Sequence, residues 1–150
     1  MNKQNSRALK LTALGLVGFH FLTVVVHSVA HEILSVKATP AQLAFIVPVI
    51  IIAPVLAGFM IPTFGKAGAV VLSVSMLGSF VFGLYYHFVA ETHDHVAHVA
   101  RLQPALWSGM FRLTAYLLLV SEVLGVTVAV LSLAGQTPES LKHHAARTDF

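Results

Sequence analysis

The sequence predicts an all-α membrane protein, a bundle of four transmembrane helices with both termini in the cytoplasm. Three observations carry that expectation. The 150 residues are 57% hydrophobic and only 10% charged, where soluble domains carry roughly 25% charged residues. Four apolar stretches, about 9–34, 40–63, 67–90 and 105–134, reach the roughly 20 residues that a bilayer-spanning helix needs. The connections after the first and second stretches are short, which forces antiparallel hairpins. The chain is read as one integral membrane domain, 1–150, with a short tail at 135–150.

The first stretch follows Lys3, Arg7 and Lys10. A basic start, an apolar run and Ser28-Val29-Ala30 also describe a cleavable signal peptide, and removal of residues 1–30 would leave three spans. The run exceeds a usual signal core and is interrupted by His20 and His27, so it is read as a retained span. The second stretch opens on Thr39-Pro40-Ala41-Gln42. That run offers an N-cap threonine, proline at the first helical position and glutamine at the capping-box site. Pro48 and Pro54 predict a kink, which neighbouring helices can tolerate. The third stretch carries Ser75, Ser79 and Gly83 four residues apart, a spacing that lets helices approach closely in lipid. The fourth has Trp107 near its start, suited to an interfacial belt, and Gly135 at its end. Thr137-Pro138-Glu139 looks like the start of a surface helix.

Orientation follows from lysine and arginine. Lys3, Arg7, Lys10, Lys66, Lys142 and Arg147 share one side, and Lys37, Arg101 and Arg112 belong to the other. The positive-inside rule makes the richer side cytoplasmic, as in a multi-pass protein of a bacterial inner membrane. The histidine-rich ends of spans one and three then face outward.

Ionisable groups at membrane depth are costly and mark ligands, relays or pathways. His20, His27 and His31 are seven and four residues apart, so they fall within about 40° on one helix face. His27 and His31, at i and i+4, can hold one metal together. If the third helix continues past Ala90, then His87, Glu91, Asp94 and His98 share a face within about 60°. The expected ligand set is His27, His31, His87 and Glu91, with Asp94, His95 and His98 as possible additions. His20, Glu122 and Arg112 are expected in the polar interior of the bundle, as a relay or as hydrogen-bonding groups.

Neutral imidazole with carboxylate suits a transition metal such as zinc, iron or copper. Cysteine is absent, which excludes thiolate sites and disulfides. His31-Glu32 opens like a zinc-protease signature, but Ser35 stands where the second histidine is needed. No phosphate-binding loop or dinucleotide fingerprint occurs, and no basic patch with interleaved aromatics suggests nucleic acid. A four-helix membrane bundle with histidines at one depth resembles the membrane b-type cytochromes in architecture alone. That resemblance implies haem b as an alternative to a bare ion. The resulting expectation is a small polytopic protein binding metal or haem near its outer face, in a redox, metal-handling or assembly role. Two other classes remain: a proton-coupled transporter or transporter subunit using His20 and Glu122, and a structural subunit. The expected partners are the lipid bilayer and either further copies of the chain or a larger membrane complex.

Overall fold

A computed structural model describes residues 3–135, and those residues are all-helical. Residues 136–150, with the surface helix expected at Thr137, lie outside the described residues. Helix α1 is Lys3–Ile33. Helix α2, Pro40–Phe45, runs through a π-helical segment, Ile46–Ile52, into α3, Ala53–Leu84. A second π-helical segment, Tyr85–Val89, ends that run; α4 is Val96–Val99 and α5 is Ala105–Ala134. Among the described residues, three helical stretches are long and apolar enough to cross a membrane: Arg7–Ile33, Pro40–Val89 and Ala105–Ala134.

The start of the second stretch follows its sequence. Thr39 Oγ1 accepts from the Gln42 backbone N–H at 3.2 Å, and Gln42 Oε1 accepts from the Thr39 N–H at 2.7 Å. With Pro40 at the first helical position, this capping box satisfies two donors that a helix start otherwise leaves bare.

The stretch breaks in its middle. Phe64 (φ −108°, ψ 15°) and Gly65 (φ 25°, ψ −81°) leave helical geometry inside α3, and a positive φ favours glycine. Beyond the break the chain returns along itself. The Phe45 and Phe82 rings stack at 5.1 Å. A Cβ on Gly78 would lie 3.1 Å from Val49, and one on Gly68 would lie 2.6 Å from the Ile61 backbone nitrogen. At Gly68 only glycine allows the two backbones to come that close, and at Gly78 it makes room for the Val49 side chain.

The other neighbours are antiparallel as well. On α1 and α5, His20 meets Ser121 and His27 meets Thr114. On α3 and α5, Met76 faces Gly125 and Gly83 faces Leu119. The stripe of Ser75, Ser79 and Gly83 thus packs on α5, the contact that its small-residue spacing allows.

Polarity runs inside out. Leu22, Val74, Leu106 and Phe59 are 65%, 67%, 71% and 76% exposed, whereas His20, Thr23, His27, Ser79, Thr114, Ser121 and Glu122 are buried. An apolar exterior around a polar interior fits a protein that sits in lipid, where polar groups must find partners within the bundle.

Candidate metal centre

Three histidines converge where α1 ends. His27 Nε2 lies 3.3 Å from His87 Nε2 and 3.2 Å from His31 Nε2. Ligand atoms of all three lie within 4.8 Å of one another, close enough to hold a metal ion. His27 and His87 are buried and His31 is half-buried.

Each ring is fixed from behind. The end of α1 orients His31. Ser35 takes a left-handed conformation (φ 57°), its N–H reaching the Glu32 carbonyl at 3.1 Å while Val36 N–H reaches the His31 carbonyl at 3.0 Å. This pair of bonds is a Schellman cap. It folds the Val36 carbonyl back onto the His31 ring, where it accepts from Nδ1 at 2.8 Å.

His87 is positioned by the second π-helical segment and the loop after it. Ala90 turns extended (φ −78°, ψ 131°), and Thr92 Oγ1 donates to the Tyr86 carbonyl at 3.2 Å. The loop returns over the helix end and brings the Asp94 carbonyl to 3.0 Å from His87 Nδ1. His27 Nδ1 meets Thr114 Oγ1 at 2.9 Å.

These partners fix the protons. A carbonyl only accepts, so His31 and His87 carry hydrogen on Nδ1. The Thr114 hydroxyl donates to the Met110 carbonyl at 2.7 Å and lies 3.0 Å from the Phe111 carbonyl. Its one proton is thereby engaged, and toward His27 it accepts. A neutral imidazole with its hydrogen on Nδ1 has a lone pair on Nε2. Three lone pairs therefore face one point, with their other nitrogens hydrogen-bonded as those of metal-ligating histidines usually are. Phe111 is fully buried and packs on all three rings, at centroid distances of 4.6, 4.7 and 5.4 Å.

The remaining candidates fall elsewhere. Glu91 is exposed and does not join the histidines. The helical spacing that would have set it beside His87 ends with the extended turn at Ala90, which also separates His98 from the expected face. Asp94 is buried, but it serves His87 through its backbone, and its carboxylate faces Gln42 Nε2 at 3.5 Å. His95 caps α4, its Nδ1 accepting from the Ala97 N–H at 3.2 Å. His98 and Arg112 are exposed.

His20 is buried one level deeper, with Nε2 at 3.3 Å from the Ile50 carbonyl and Nδ1 at 3.3 Å from Ser121 Oγ. In an α-helical ladder the donor to Ile50 would be Pro54, which has no N–H; His20 supplies one instead. Glu122 is also buried, and its Oε2 has no hydrogen-bond partner among the described residues.

A cavity of about 290 Å³ joins these levels. His27, His31 and His87 line it near the exposed Glu32–Lys37 ion pair, and Ser79 and Glu122 line its other part.

Sequence reasoning missed Thr114, Phe111 and the carbonyls of Val36 and Asp94. The two side chains had a signal: Phe111, Thr114, Leu118, Ser121, Glu122 and Gly125 recur at helical spacing, and all are buried. The two carbonyls had none. Comparison with family models, curated proteins and solved structures gives no match.

Proposed function

We propose that this chain is a four-span membrane protein that binds one transition-metal ion through Nε2 of His27, His31 and His87, near the outer face. The single observation behind this reading is that each of the three Nδ1 atoms meets an oxygen while the three Nε2 atoms converge. With each Nδ1–H donating to an oxygen, none of the three Nε2 atoms has hydrogen to offer another. A buried acceptor left unsatisfied costs about 1–3 kcal/mol, and here two buried rings and the half-buried His31 share one point. One metal ion satisfies all three.

The spacing supports the same reading. Metal–nitrogen bonds of about 2.0–2.1 Å at tetrahedral angles separate ligand nitrogens by about 3.3 Å; His27 Nε2 lies 3.3 Å from His87 Nε2 and 3.2 Å from His31 Nε2, and the three ligand atoms all lie within 4.8 Å of one another. Imidazoles on opposite sides of a haem iron would be roughly 4 Å apart, so the contacts favour a bare ion. Three neutral imidazoles suit zinc, copper or iron. A tetrahedral ion on them keeps one position for a ligand from the adjoining cavity, the arrangement of reactive rather than purely structural sites.

Four crossings follow from length. A straight helix over Pro40–Val89, 50 residues, would measure about 75 Å against a hydrocarbon core of about 30 Å. Turning at Phe64-Gly65 makes two spans of it. Both termini then share the side rich in lysine and arginine, the cytoplasm.

Metal analysis of the purified full-length protein, with an absorption spectrum, tests the reading. One ion per chain and no haem band are expected, with the metal lost in His27→Ala/His87→Ala. Haem in the preparation, or metal retained by that double variant, would overturn it.

A further inference from the structure

We propose that the cavity beside the histidines binds a small organic amine, its ammonium group held by Glu122 and its apolar body packed against α1, the first π-helical segment, α3 and α5. The site stands beside the metal reading and does not depend on it.

The deep end of the cavity is built to receive hydrogen. Glu122 is 3% exposed, lines the cavity, and has an Oε2 with no partner among the described residues. Ser79 lines the cavity too, and the contacts of Met76 with Gly125 and of Gly83 with Leu119 set it opposite Glu122. The Ser79 hydroxyl gives its proton to the Ser75 carbonyl at 2.9 Å, so toward the cavity it accepts. A donor-only head with several N–H groups matches that pair; a hydroxyl, with one hydrogen, does not satisfy both.

Charge agrees. Glu32, Asp94 and Glu122 line the cavity against one ammonium, Lys37, which Glu32 already engages at 2.6 Å. Asp94 faces Gln42 Nε2, which leaves Glu122 as the acid without a partner among the described residues, and an ammonium group answers it.

The body of the ligand is set by the walls. Val24, Ile50, Phe82, Leu118 and Leu119 line the space, and such surfaces disfavour a hydrated inorganic ion. An apolar cavity of about 150 Å³ accommodates benzene, so about 290 Å³ has room for a ring and a two-carbon arm. Glu122 lies two turns along α5 from Thr114, about 12 Å. A molecule of that size can hold its amine on Glu122 and end short of the histidines.

The test is calorimetric titration of 2-phenylethylamine into the full-length protein in lipid nanodiscs, stripped of metal by chelation, with empty nanodiscs as background. Saturable binding of one amine per chain is expected. It should be weaker by about tenfold for 2-phenylethanol, which has the same shape without the charge, and by about tenfold in Glu122→Gln. A helical circular-dichroism spectrum with cooperative thermal unfolding confirms the fold of Glu122→Gln. If it does not fold, the amine–alcohol comparison on the unaltered protein decides. No saturable amine binding, alcohol binding as tight as amine binding, or unchanged binding in a folded Glu122→Gln would each overturn the proposal. None of those results touches the metal site, and a protein that holds no metal leaves this test intact.

Discussion

Replacing Thr114 with valine separates a ligand-orienting role from a structural one. Valine keeps the branched shape and removes the oxygen that accepts from His27 Nδ1 at 2.9 Å. The ring then has two choices. It can keep its hydrogen on Nδ1, a buried donor without a partner, at about 1–3 kcal/mol. Or the hydrogen can move to Nε2, where His31 and His87 offer lone pairs at 3.2 and 3.3 Å. The second choice relieves the metal-free protein and removes one ligand from the metal. Metal affinity should therefore fall while metal-free stability changes little. Losing a group that orients a ligand typically costs 10–100-fold in affinity, about 1.4–2.7 kcal/mol. Competition titration against a zinc chelator measures the affinity, and thermal unfolding of the metal-free protein measures the other half. Thr114→Ser, which restores the hydroxyl, should return affinity close to that of the parent protein. Valine binding zinc within twofold of threonine, or a loss that serine does not restore, would refute the reasoning.

Three further outcomes are expected. Because a protonated imidazole has no lone pair to give and metal competes with the proton for it, metal should be lost on acidification below the ordinary histidine value of about 6.5; equilibrium metal content from about pH 8 to about pH 4 checks this, and a profile flat to the acid end would argue against histidine ligation. Glu91→Ala should leave zinc affinity within about twofold, since an exposed surface substitution is usually worth no more than about 0.5 kcal/mol; a tenfold loss would return Glu91 to the ligand set. Gly68→Ala should destabilise the hairpin by about 3 kcal/mol or more, at the top of the range for overpacking, because the added carbon meets the Ile61 backbone at 2.6 Å; thermal unfolding reads the loss, and an unchanged midpoint would mean the two helical arms of the hairpin do not approach as described.

What was legible in the sequence was whatever depends on helical phase. His27 and His31 at i and i+4, the capping box at Thr39, the small-residue stripe on α3 and the common depth of His87 with the α1 histidines all follow from spacing and topology. The readings that failed depended on where a helix stops. Glu91 belonged to the expected ligand set only while the helix ran past Ala90, and one extended residue there removes it from the set. That same turn brings the Asp94 carbonyl to His87, as the Schellman cap at Ser35 brings the Val36 carbonyl to His31. Any residue has a carbonyl, so side-chain patterns cannot announce one as a partner. Two helix ends thus do double duty. Each closes its helix, and each turns a backbone oxygen onto an imidazole Nδ1–H, leaving Nε2 as the atom that faces the centre. Substitutions at Ser35 or Ala90 that keep every histidine but alter the turn should therefore reach the metal site through the backbone alone.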